Sequence, residues 1–452
     1  MKKRVLAVIL SLTMVANISV PAMAQNIDSA QQEEISTVDQ GDDSDTQDDF
    51  YAEKSAIQKM LKEKEEIVAR SNESNGILYT VNADGETCTI TDCNRGGTGT
   101  LVVPDTVDGY KVTIIGQGAF AGSQYKSIQL PENLVEIRYA AFAESAIEEI
   151  EIPDSVATIY SSTFINCAKL TKAVLSSGLK EISSSLFKYD DQLKEVVIPE
   201  GIQSVNSDAF RECNGLTEVT LPDSITYMDG YVFRNCENLT SVKLPKNLES
   251  IGSETFYGCK KLEEVVWPET IKTIGENAFC SLSGLKLPET LEKIGSYAFL
   301  ETSVKEVTIP DGITEIGTSA FQECDKLIQV KTGKGLSTIG GYAFSNCHNL
   351  ERVYIAPGTV EIGSSAFYWC EKVNKIYLPS SVKTIRDFAF SGGREKVSCN
   401  VYYAGSETDK EAITIETANQ LLTTDGWTHW YYDQTEISSG DNIWDYSVNE
   451  DG

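Results

Sequence analysis

From about residue 77 the apolar and polar positions of this chain repeat in a fixed order. Segments 216–233 (LTEVTLPDSITYMDGYVF) and 239–256 (LTSVKLPKNLESIGSETF) both read L-x-x-V-x-L-P, then an apolar pair three apart, then Phe. The Phe recurs at 120, 142, 164, 187, 210, 233, 256, 279, 299, 321, 344, 367 and 390, in steps of 22 or 23 residues with one step of 20. The alternating V-x-L positions predict a short half-buried strand whose flanking residues face outward. Apart from Pro21, every Pro follows such a strand, where it ends the pairing without wasting a ladder donor.

A coil of 23 residues cannot enclose a core by itself. Stacked coils can, because the Leu, Ile and Phe of one rung cover those of the next. The pattern therefore predicts a repeat solenoid, a curved right-handed, horseshoe-like array of about thirteen coils of 20–23 residues, mostly short parallel strands and turns. Rungs about 4.8 Å apart would make it roughly 60 Å long. Phe164, Phe187, Phe210, Phe233, Phe256 and Phe279 should form a buried ladder, each ring contributing about 1.5–3 kcal/mol. A Gly stands four residues before the Phe at 116, 252, 275, 295, 317, 340 and 363, where Arg138, Tyr160, Asn206 and Arg386 stand in other coils. That mixture favours a tight bend without demanding positive φ everywhere. The three residues missing from the 20-residue step are expected in a turn.

The flanks differ from the middle. Residues 1–24 read as a secretory signal peptide: Lys2, Lys3 and Arg4, an apolar run from Val5 to about Val20, then Ala22-Met23-Ala24, with Gln25 as the expected new N-terminus. Residues 25–50 hold nine acidic and no basic residues and read as a disordered linker. Residues 51–75 should be helical, on the partial stripe of Ile57, Met60, Leu61, Ile67 and Val68. A cap is expected over 76–115, with a hairpin at Asn82-Ala83-Asp84-Gly85. The repeats fill 116–396. A C-terminal cap over 397–433 loses the Phe and ends in Trp427, Trp430, Tyr431 and Tyr432, and 434–452 reads as an acidic flexible tail.

Charge narrows the partners. Without the three signal-peptide cations, 35 basic residues face 67 acidic ones, a net charge of −32. Such a surface repels nucleic acid and anionic membranes. No membrane insertion is expected after signal removal. Oligomeric state is not legible.

The period L-x-x-V-x-L-P-x-x-I-x-x-I-G-x-x-A-F-x-x-C resembles the BspA-type (Treponema pallidum-type) leucine-rich repeat. The likeness covers about 77–432, including VYYAGSE at 401–407. Tyr189–Asp191 and Leu175, which lacks a following Pro, depart from it. The resemblance implies a bacterial surface or secreted protein and, for some members, adhesion to host proteins or other cells.

Little points to chemistry, and the chain reads as non-enzymatic, with no cofactor and no metal. Cys167, Cys213, Cys236, Cys259, Cys324, Cys347 and Cys370 all lie three residues after the repeat Phe, and Cys280 lies one after. A position recurring once per coil is a packing position. Parallel neighbours stay near 4.8 Å, whereas a disulfide needs Cβ atoms about 3.8 Å apart, and ligands in a line do not converge on a metal. Cys88 and Cys93 alone leave a local disulfide open. His348 and His429 have no nucleophile or ligand at motif spacing. Gly96-Gly97-Thr98-Gly99 lacks the Lys-Ser/Thr of a phosphate loop, and Asp42-Asp43-Ser44-Asp45 lacks the Gly and Glu of a calcium loop. A carbohydrate-active parallel β-helix shares the period but would carry an Asp-Asp-Arg type cluster, and none is seen.

What remains is a binding surface for a host or neighbouring-cell surface protein, or alternatively a glycan. The outward positions beside each central strand residue change along the array. Early coils give Glu149 and Glu151, Glu195 and Val197, Glu218 and Thr220; late ones give Arg352 and Tyr354, Lys375 and Tyr377, Ser398 and Asn400. Arg352, Tyr354, Lys375 and Tyr377 are the candidate ligand-binding residues, since Tyr and Arg are enriched at binding hot spots. Cross-strand tyrosine pairs that merely stabilise a sheet account for the pattern equally well.

Overall fold

The computed structural model describes residues 51–60, 62, 72–74, 76–280, 282, 286–391, 398–423, 428–433, 436–439 and 443–446. The expected signal peptide and acidic linker lie outside them. Residues 1–54 and 55–452 separate as compact units. In the first, 51–54 are helical; in the second, 55–60 are helical, with Ile57 and Met60 buried.

The second unit is a parallel β-solenoid built on two ladders. One has three-residue strands such as Ser127–Gln129, Lys172–Val174 and Arg352–Tyr354, the expected V-x-L strands. The other has two-residue strands such as Glu136–Ile137 and Thr384–Ile385, from the apolar pair. Between the ladders lies one continuous core holding all thirteen repeat Phe residues, each at most 1% exposed. Successive rings stack, with centroids 5.0–5.7 Å apart and planes within 25°. The V-x-L ladder runs in three sections, Thr100–Val102 to Glu195–Val197, Glu218–Thr220 to Glu264–Val266, and Glu306–Thr308 onward. Residues 283–285 of the shortened coil, between the second and third sections, lie outside the described residues.

The Phe turn has a backbone regularity that composition conceals. The residue two before every repeat Phe has φ between 52° and 63°, and only Gly118 among these thirteen is glycine. The residue two after the Phe also has positive φ in eleven coils, Glu144, Asn235 and Trp369 among them. This alternation turns every second N–H toward the next coil. Tyr231, Phe233 and Asn235 donate to the carbonyls of Ser253, Thr255 and Tyr257 at 2.9, 2.9 and 2.7 Å. An L-residue in this left-handed region costs roughly 1–2 kcal/mol, and the inter-coil bonds hold it there. The glycines four before the Phe serve a different need from the expected bend. Their φ is not positive, but a Cβ on Gly252 or Gly317 would stand 2.4 or 2.3 Å from the backbone of the preceding coil. Close approach between coils selects glycine here.

The thiols form a ladder of their own. Cys213, Cys236 and Cys259 donate to the carbonyls of Phe187, Phe210 and Phe233, one coil back, at 3.0, 3.0 and 3.1 Å. Cys347 and Cys370 repeat the contact. All eleven cysteines are free and buried. Cys88 and Cys93 lie five residues apart on the strand Thr87–Cys93, about 16 Å along an extended chain and beyond disulfide reach. Asp190 takes the thiol position in the coil of Phe187. It is fully buried, and its Oδ1 accepts the Cys167 N–H at 2.6 Å.

The ends follow the sequence in part. Ile77–Val81 and Thr87–Cys93 form the expected antiparallel hairpin, and Thr87–Cys93 pairs in parallel with Tyr110–Ile115 to start the second ladder. The helix expected over 51–75 does not reach its end: Asn72–Ser74 is a strand pairing with Ile77–Val81, across Gly76 at φ 74°. Cys399–Tyr403 and Thr428–Tyr431 add two strands to the V-x-L sheet, and Leu421 and Leu422 of the short helix Gln420–Thr423 are buried beside them. The tail expected to be flexible holds an antiparallel pair, Glu436–Ser439 with Ile443–Tyr446. Ile437, Ile443, Trp444 and Tyr446 favour strands strongly enough to outweigh its acidity.

Candidate functional site

The third section of the V-x-L sheet has six strands, from Glu306–Thr308 to Thr428–Tyr431. In-register pairing builds two outward columns. Arg352 lies opposite Lys375, and Tyr354 opposite Tyr377, as the repeat frame requires. The first column runs Glu306, Gln329, Arg352, Lys375, Asn400, His429, and the second Thr308, Lys331, Tyr354, Tyr377, Tyr402, Tyr431.

The tyrosines stack in a continuous series. Tyr354 and Tyr377 are 4.3 Å apart between centroids, Tyr377 and Tyr402 4.7 Å, and Tyr402 and Tyr431 5.1 Å, all within 15° of parallel. The Lys331 ammonium covers the open face of Tyr354, 5.3 Å from its centroid, a cation–π contact worth about 0.5–1 kcal/mol where exposed. Sequence reasoning found two of the four rings. Beyond the last repeat Phe the spacing slips by two: the outward pair is Asn400 and Tyr402 rather than the expected Ser398 and Asn400, and the apolar Val401 and Trp430 preceding Tyr402 and Tyr431 were the available sign.

Burial corrects one expectation. Tyr377 is 5% exposed and Tyr402 6%, because each ring is covered on both faces by its neighbours. Tyr377 is therefore a buttress. Burial first, and then the Tyr354 phenol beside it, push the Tyr377 hydroxyl above its ordinary range, so it stays protonated. Lys375 and His429 are exposed, and Lys331, Arg352, Tyr354, Asn400 and Tyr431 are half-buried. Arg352 Nε donates to Gln329 Oε1 at 3.0 Å, and an η nitrogen lies 3.8 Å from Glu351.

Two concavities lie elsewhere on the described residues. One, of about 490 Å³, lies on the first sheet section beside Gln129, Glu132, Glu149, Glu151 and Lys172. The other, of about 550 Å³, lies on the turn side beside Glu301, Glu323, Asp325, His348 and Trp369. No group of three or more His, Cys, Asp or Glu among the described residues has metal-binding geometry. No helix among them is long and apolar enough to cross a membrane.

The model of the BspA-type leucine-rich repeat region matches residues 106–216, 180–299 and 280–396. The chain belongs to the BspA-type leucine-rich repeat family. Among solved structures it is similar to a leucine-rich repeat protein from Bacteroides ovatus at 23% identity and a TM-score of 0.53, covering 80% of this chain and 99% of that one. It also matches a leucine-rich cell surface protein from Faecalibacterium prausnitzii at 23% identity and a TM-score of 0.37, over 77% and 98% of the two chains. No curated protein matches it. The family of this BspA-type chain rests on the repeat match over 106–396, and the Bacteroides ovatus structure supports its fold.

Proposed function

We propose that this BspA-type protein is an exported cell-surface adhesion scaffold that binds protein partners through the C-terminal section of its V-x-L sheet. Export is supported by the basic start, apolar run and Ala22-Met23-Ala24 of the first 24 residues. The observation that carries the binding reading is the pair of outward columns, with Arg352 and Lys375 in the column beside a tyrosine stack that Lys331 covers at one end. Pre-ordered side chains lose less entropy when a partner docks. A protein suits the face better than a glycan, because a sugar stacks on open ring faces and those of Tyr377 and Tyr402 are covered.

The test is a binding screen of the full chain against extracellular-matrix proteins and a glycan array, repeated with Tyr354→Ala/Lys375→Ala. The proposal expects a protein hit that the double variant weakens at least tenfold with its circular dichroism unchanged. A glycan hit alone, or a protein hit indifferent to the variant, would overturn it.

A further inference from the structure

The same face carries a charge signature that specifies its partner. From Gln329 onward the two outward columns hold Lys331, Arg352 and Lys375 and no carboxylate. This happens on a chain with 67 acidic and 38 basic residues. Several lysines of earlier coils are instead neutralised by a carboxylate one coil away: Lys172 with Glu195 at 2.9 Å, Lys246 with Asp223 at 2.6 Å, Lys260 with Glu237 at 2.7 Å and Lys272 with Glu249 at 3.1 Å. Among the described residues Lys331 and Lys375 form no ion pair; Lys331 rests on a ring instead. The corresponding columns of the first sheet section carry Glu149, Glu151 and Glu195.

Resting on the reading of this face as the binding surface, we infer that the partner is an acidic polypeptide segment, its carboxylates meeting Lys331, Arg352 and Lys375. The phenol edges and amides of Tyr354, Gln329 and Asn400 add hydrogen-bonding groups between these cations. A polypeptide fits better than a uniformly charged polyanion. Only three cations are offered, and Glu306 and Glu351 border them, so a continuous phosphate or sulfate chain would run into like charge. An acidic segment can place its carboxylates individually. Charge on an otherwise repelling surface also selects the docking orientation and speeds the encounter.

Fluorescence anisotropy of a labelled hexaglutamate peptide with the full chain tests this directly, with hexalysine, heparin and a single-stranded DNA oligomer as further probes. Hexaglutamate should bind in 0.05 M salt and weaken at least tenfold in 0.5 M, as screened ion pairs do. Arg352→Glu/Lys375→Glu should weaken it at least tenfold, mainly through slower association, while Glu149→Gln/Glu151→Gln leaves it within twofold. No binding of hexaglutamate, tighter binding of heparin or DNA, or indifference to the charge reversal overturns the inference. A matrix-protein hit that is lost in Tyr354→Ala/Lys375→Ala yet insensitive to salt would remove the acidic partner and leave the binding face standing. A hit unaffected by either double variant would remove both.

Discussion

Asp190 offers the most quantitative test of how the coils are joined. It occupies the column in which thiols of other coils donate to the Phe carbonyl one coil back, which for Asp190 is Phe164 by the same 26-residue offset. Its Oδ1 accepts the Cys167 N–H, while its buried Oδ2 has no partner among the described residues. A position that needs a donor is filled by a carboxyl, and only the protonated acid can donate. Burial, the main cause, raises its pKa well above the carboxylate range; the Cys167 N–H opposes that and Asp191 adds to it. A raised folded-state pKa gives stability that is complete below the unfolded value of about 3.9 and is lost as pH rises through the folded value. Asp190→Asn keeps the acceptor and supplies a donor at every pH. Its advantage over the wild type should therefore grow by about 1.4 kcal/mol per pH unit above pH 4, until the folded-state pKa is passed. Long repeat arrays unfold in parts, so the readout is hydrogen exchange of the Cys167 and Phe187 amides from pH 4.5 to 7.5, corrected for intrinsic rates. A stability difference that does not change with pH would refute the reasoning.

Three further outcomes follow from the packing. Phe256→Ala should cost about 3–5 kcal/mol locally, and exchange near Phe233, Phe256 and Phe279 should rise before that of distant coils; uniform exchange would remove the ring from the core. Native Cys213, Cys236 and Cys259 should resist alkylation and react fully once denatured, because burial hides them and pushes the Cys236 thiol up to about 12; disulfides found at these positions by mass analysis would contradict that. Gly317→Ala should lower the thermal midpoint, since its Cβ meets the Ser296 backbone nitrogen at 2.3 Å, a misfit of about 1–3 kcal/mol; an unchanged midpoint would show that the coils can part there without cost.

The repeat frame was legible because one large residue, Phe, must fill one place in every coil, and its spacing fixed which residues face out. The positive-φ positions beside it were not, since Ala140, Ser162, Tyr231, Glu254 and Asn277 share a backbone conformation and no side-chain property. The glycines were visible, but their reason was not: contact with a preceding coil leaves no local trace that distinguishes it from a bend. Arg352 with Lys375 and Tyr354 with Tyr377 were paired correctly from spacing. The burial of Tyr377 escaped, because an alternating pattern assigns a side chain to a face without saying how neighbouring rungs cover it. In the sequence Asp190 is only a departure from the repeat; its place in the thiol column is set by the neighbouring coils.

The most direct test of the binding face is zero-length carbodiimide coupling of the full chain to a protein captured from the matrix screen, followed by peptide mapping. This chemistry joins lysine to carboxylate only where the two touch. The account predicts couplings from Lys331 and Lys375 to acidic residues of the partner. Couplings concentrated at Lys246, Lys260 or Lys272, with none at Lys331 or Lys375, would contradict it.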